Sequence, residues 1–233
     1  MMKFRNLQFN QQSPETAGKV RMLLNKFWLC MSICALVVFS NLIVAQAQNA
    51  RGNEIIPPSV PPGSGLEIDA GNVPFLLGHG DGTQNYVCAP CDPTNANCPL
   101  GVKFTLFTPQ ATLFDDDGSQ LTTHFFSPNP SEGGVIRVTW EDSRDSSKAF
   151  AKLIKAFTVR ADSVDWLKLD VKNTGTEPGP TGDRLTKTTF IQRVNTVGGL
   201  APTTGCLSAG DLGHQAFIHY TADYVFYKAS PTK

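Results

Sequence analysis

Short runs of β-branched and aromatic residues, broken by Gly, Pro, Asn and Asp every ~8–12 residues, limit this chain to a small set of folds. In residues 135–140, Val135, Arg137 and Thr139 alternate with Ile136, Val138 and Trp140. A period of two puts one of those sets on a buried face. The clearest hairpin is residues 111–126, where ATLF and QLTTHFF flank Asp115-Asp116-Asp117-Gly118. Asp-Gly between such runs is a strong hairpin turn signal. Further strand-type runs occupy residues 66–77, 84–88, 102–108, 164–171, 185–196 and 216–228. Gly78-His79-Gly80-Asp81-Gly82 reads as a turn between two of them. Residues 148–159 (KAFAKLIKAFTV) are ambiguous, because their apolar spacing and their Ala and Lys content also suit a helix. The pattern as a whole predicts a mainly β, single-domain antiparallel β-sandwich or barrel stabilised by disulfides.

The disulfide part of that expectation comes from the N-terminus. Residues 27–47 read FWLCMSICALVVFSNLIVAQA, with Arg21 and Lys26 ahead of the run and Ala45-Gln46-Ala47 at its end. A basic flank, an apolar middle and a small-residue end make a secretory signal peptide. Cleavage is expected after Ala47, and Met22 is a candidate start of translation. The rival reading is an uncleaved anchor, but Ser40 and Asn41 interrupt a run already short for a bilayer. The expected plan is a signal peptide over residues 1–47, a Pro/Gly-rich linker over 48–65 and an all-β domain over 66–229. The mature protein is then secreted or periplasmic.

Export decides how the cysteines are read. Cys30 and Cys34 leave with the leader, and Cys88, Cys91, Cys98 and Cys206 remain. Four cysteines in an oxidising compartment imply two bridges, for which sequence allows three connectivities. The favoured one pairs Cys91 with Cys98 across a short loop and Cys88 with Cys206 between early and late strands. Zinc would need a second ligand pair at matching spacing, and Cys98 and Cys206 do not supply it. Pro90 and Pro93 bar the helix that a redox Cys-x-x-Cys wants.

Charge narrows the partners. Five of the 20 Lys and Arg and one of the 20 Asp and Glu precede Gln48, which leaves the mature part at −4. A mildly acidic chain without basic runs lacks the footprint of a nucleic-acid binder. The four histidines show neither HxH nor HExxH spacing, so no metal site is expected, and no cofactor motif is found. Asp115-Asp116-Asp117-Gly118 lacks the alternating acids and the twelfth-position Glu of a helix–loop–helix calcium site.

The sharpest candidate site joins Gln192, Arg193 and Asn195 with Asp223, and His124 is added as a strand histidine. In a strand over residues 190–196, Gln192 shares a face with Phe190 and Val194, while Arg193 and Asn195 share the other with Ile191. Asp223 lies in an apolar run, and a carboxylate there needs a partner, for which Arg193 is the obvious one. Arg193 is either the anion- or sugar-binding floor of a pocket or half of a structural ion pair.

Several strings carry a resemblance. Residues 189–202 read TFIQRVNTVGGLAP, followed by Gly205-Cys206, and residues 219–227 read HYTADYVFY. Upstream stand Gln84-Asn85-Tyr86-Val87-Cys88 and Ala111-Thr112-Leu113-Phe114-Asp115. Together these resemble the exported domain-of-unknown-function family 3455 of bacteria and fungi, from about residue 57 to 227. The resemblance implies export and one mostly-β domain, with no established biochemical role. With the surrounding strands, it favours a strand over residues 148–159. The chain departs from the family in its extra Cys91–Cys98 segment and in the FFSPNPSEGG stretch after His124. No Gly-x-Gly-x-x-Gly sits between a strand and a helix, so a dinucleotide site is excluded.

The resulting expectation is a non-enzymatic extracellular or envelope module that binds a small molecule or carbohydrate. In its mature form it has neither nucleic acid nor membrane as partner. The rivals are a secreted hydrolase-type enzyme with its site around Arg193, Asp223 and His124, and a structural or adhesive surface protein.

Overall fold

A computed structural model describes residues 55–231, so the predicted leader lies outside the described residues. Nine strands follow one another: β1 (Asn72–Pro90), β2 (Val102–Phe114), β3 (Gln120–Asn129), β4 (Val135–Asp142), β5 (Lys148–Phe157), β6 (Trp166–Asp170), β7 (Thr176–Glu177), β8 (Thr188–Gly198) and β9 (Gln215–Ala229). Their order in the sheet is β4-β3-β2-β1-β9-β8-β6-β5, and β4 also pairs with β5. Eight antiparallel strands therefore close into a barrel, and short β7 adds to β5. Of the two architectures expected, the barrel is the one formed. Closure leaves those eight strands without an open edge.

The ambiguous segment is strand. Ala149 pairs with Trp140 and Ala151 with Val138. Both alanines are buried in the barrel core that contains Trp140. Their small side chains, which favour a helix in isolation, here make room for an indole.

The Gly78–Gly82 turn is overturned, because β1 runs straight through it. Gly78, Gly80 and Gly82 share the parity of buried Leu76 and Gln84. A Cβ on Gly80 would stand 2.8 Å from a Tyr224 ring carbon, and one on Gly82 would stand 2.1 Å from the Gln110 carbonyl oxygen. These glycines are present because neighbouring strands and a tyrosine approach too closely for any side chain, which is a strand use of glycine rather than a turn use. Gly82→Ala is expected to destabilise the fold by about 1–3 kcal/mol, since backbone and not a flexible side chain blocks the methyl group. Thermal unfolding of the variant measures this.

Leu76, Leu113, Leu121, Ile191 and Phe226 pack one end of the barrel interior. A second apolar cluster lies outside the barrel. Phe190, Val194, Val225 and Tyr227 face outward and are covered by Val60 from the Pro/Gly-rich lead-in and by Leu66 and Ile68 just after it. Residues 60–68, the end of the expected linker and the start of the expected domain, form a strap: Gln192 Nε2 donates to the Leu66 carbonyl at 2.7 Å, and Lys168 Nζ to the Glu67 carbonyl at 2.7 Å.

Both expected disulfides form, Cys88–Cys206 and Cys91–Cys98. Cys88 and Cys206 are buried with Val102, against Phe104. The bridge ties the end of β1 to the loop between β8 and β9.

Candidate functional site

The end of the barrel opposite the packed leucines is hollow. A cavity of about 510 Å³ lies among all eight barrel strands, within the roughly 300–1,000 Å³ of small-molecule sites. Leu106, Val138, Leu153, Leu167 and Leu200 give it apolar walls, and Leu106, Leu153 and Leu200 are part-exposed at its mouth. The polar lining is Gln84, Tyr86, His124, Asp165, Arg193 and Tyr224, with Trp140 beside them; Asp165 lines it next to its own carbonyl, and its carboxylate accepts from the Thr158 hydroxyl.

Arg193 dominates the site. It comes from the inward face of β8, opposite Tyr224 of β9, and is 8% exposed. Its Nε and Nη2 both donate to the Asp165 carbonyl, at 3.1 and 2.8 Å. No carboxylate among the described residues forms an ion pair with it. A guanidinium does not neutralise itself by losing a proton, so its charge remains in an apolar-walled space. Two neighbouring donors are also unsatisfied: Gln84 Nε2 and Trp140 Nε1 are buried without partners.

His124 of β3 is 3% exposed and stacks on Trp140, with ring centroids 4.3 Å apart and planes inclined by 13°. Tyr224 tilts against it at 5.3 Å. Burial above all, against the raising effect of the Thr139 carbonyl and with a smaller push from the Arg193 charge, brings the imidazole down to about 3. His124 is therefore neutral at physiological pH.

The expected constellation is dispersed over three places. Arg193 and His124 share the cavity. Gln192 faces outward beneath the strap, where its Oε1 accepts from Tyr227 at 2.5 Å. Asp223 and Asn195 lie on the outer wall. The expected Arg193–Asp223 pair does not form. Register puts Asp223 opposite Val194 and Arg193 opposite Tyr224, so parity sends the two side chains to opposite faces. Asn195 leaves the Arg193 face because a bulge falls between Val194 and Val197 and Asn195 takes a left-handed conformation, with φ at 51°. Its Nδ2 donates to Asp223 at 2.7 Å.

The partner of Asp223 is His79, whose Nδ1 lies 2.7 Å away, while its Nε2 lies 2.9 Å from Asp116 on the β2–β3 hairpin. Both nitrogens donate only in the imidazolium, so Asp116 first and Asp223 second raise its pKa, against a smaller opposing effect of burial. A raised pKa stabilises the fold fully below the unfolded value of about 6.5, and the effect is lost as pH rises through the folded value. The Tm difference between the wild type and His79→Gln is thus expected to shrink as pH climbs from about 6 through the shifted pKa; a constant difference refutes this. Asp115 caps the hairpin turn, accepting from the Asp117 and Ser119 amides. Among the described residues no cluster of three or more His, Cys, Asp or Glu side chains is placed to hold a metal.

Sequence reasoning missed Gln84; Trp140, read as core, is buried in the barrel core and also lines the cavity. The available signal was parity: Gln84 follows Gly78, Gly80 and Gly82 at steps of two, on the inward face. The family model described as protein of unknown function (DUF3455) matches residues 69–228. No curated protein and no solved structure matches the chain.

Proposed function

The chain belongs to the DUF3455 family, which supplies no activity, so its role has to be read from its own site, and we propose that it is an exported binding protein for a small amphipathic anion. The observation that carries this reading is Arg193: a buried guanidinium without a counter-ion, on the floor of an apolar-walled cavity. An uncompensated buried charge costs about 3 kcal/mol or more. A carboxylate or sulfonate seated there recovers that energy by accepting from the guanidinium. The part-exposed leucines at the mouth suit an apolar body above the head group. The leader supports delivery of this module outside the cytoplasm.

The test is a fluorescence titration of the mature protein with anilinonaphthalene sulfonate, an anionic apolar probe. Trp140 and Trp166 are the tryptophans after residue 47, and Trp140 lies in the cavity. The expected result is saturable quenching of tryptophan emission, at least tenfold weaker for the uncharged anilinonaphthalene. The absence of saturation, or equal affinity for both molecules, overturns the reading.

A further inference from the structure

The cavity floor is not uniform in hydrogen-bonding sense. Arg193 presents a charged donor, whereas His124 presents an acceptor. Thr139 offers a carbonyl to His124 Nδ1 at 3.1 Å, so Nδ1 carries the proton and Nε2 carries the lone pair. Among the described residues Nε2 has no hydrogen-bond partner. The ring cannot readily turn to hide it. Its face lies on Trp140, Tyr224 leans on it, and Nδ1 is anchored to the backbone. Burial and the nearby guanidinium both oppose protonation, so the lone pair is retained. A ligand that fills the cavity and offers only acceptors would close this lone pair off from water unpaired, which is costly.

We infer that the preferred ligand is a hydroxy acid: its anionic group meets Arg193, and a hydroxyl on the same molecule donates to His124 Nε2. This rests on the cavity being a binding site and goes further by naming the ligand class and the residue that selects it. A plain fatty or aryl carboxylate satisfies Arg193 but leaves His124 unpaired. A site built to accept a hydrogen bond discriminates strongly against analogues lacking the donor, whereas an apolar pocket does so weakly.

The test compares phenylpropionate with phenyllactate and with hydroxyphenylpropionate, which place the hydroxyl near to and far from the carboxylate. Affinities are measured calorimetrically on wild-type protein and on His124→Phe, which keeps an aromatic ring against Trp140. The expected result is that one hydroxylated acid binds the wild type at least tenfold more tightly than phenylpropionate. In His124→Phe that preference disappears, while phenylpropionate affinity stays within about threefold. His124→Gln, which restores an acceptor, recovers part of the preference. Equal wild-type affinities for all three acids overturn the inference and leave the anion-binding reading standing. A preference that survives in His124→Phe likewise overturns the role of His124. If none of the acids binds at millimolar concentration, the hydroxy-acid inference and the binding reading fall together. Should His124→Phe not fold, the wild-type comparison decides the ligand class.

Discussion

Replacing Arg193 by Met is expected to weaken binding of an anionic apolar probe by at least 100-fold, about 3 kcal/mol, while the melting temperature of the empty protein holds or rises. Truncating one partner of a buried, hydrogen-bonded charge pair costs about 2–5 kcal/mol of binding. The empty barrel, by contrast, has no counter-ion to lose. Arg193 is held there by two hydrogen bonds to one carbonyl, and its charge is otherwise uncompensated. A Met of similar length fills the space without that charge, and substitutions of this kind are often neutral or stabilising. Opposite movement of affinity and stability marks a residue kept for function. A structural arginine would lose both together. Titration and thermal unfolding of one purified variant distinguish the two.

The second large effect concerns Cys88 and Cys206. Their bridge spans 118 residues of sequence, and a closure of that length contributes roughly 5 kcal/mol in the chain-entropy model. The double Cys88→Ser, Cys206→Ser variant is therefore expected to lose about that much stability in denaturant unfolding. The Cys91–Cys98 bridge spans 7 residues, so its removal costs less. The long bridge has a functional side as well. It pins the β8–β9 loop, which also carries Leu200 to the cavity mouth and the Gly199 carbonyl to the Tyr86 hydroxyl at 2.6 Å. The double variant should therefore release a bound probe faster than the wild type, at temperatures where both remain folded. Unchanged release would place the mouth under the control of Tyr86 rather than of the bridge.

The strands were legible from their β-branched and aromatic residues, as around Trp140, although there burial does not alternate and Thr139 is as buried as Trp140. They were legible too where Asp-Gly turns the chain, since Asp115 caps its own hairpin through local hydrogen bonds. Local chemistry misled where the barrel wall is crowded. Gly78, Gly80 and Gly82 look like turn residues, but the cause of their absent side chains sits on strands β2 and β9, far away in sequence. The site failed for a related reason. Pairing Arg193 with Asp223 was sound as charge chemistry, yet it depended on a register that the residues do not announce. One position separates the two across the β8–β9 ladder, and one position reverses the face. The bulge after Val194 then removed Asn195 from the same face. Gln192 was readable as a face-mate of Phe190 and Val194, but nothing in the sequence said that residues 60–68 would cover that face.

The ladder between β1 and β9 runs from Asn72 opposite Ala229 to Val87 opposite Gln215. It joins the first long strand to the last, so this barrel cannot be finished until nearly the whole chain is at hand. A polypeptide delivered amino end first must keep β1 unpaired along one side while every later strand is made. Long-range pairing of this kind folds slowly, over milliseconds to seconds, and leaves a sticky intermediate with one open flank. Truncation a few residues into β9 should thus yield aggregates and not a smaller soluble barrel, and Cys88 should stay exposed to mispairing until Cys206 arrives.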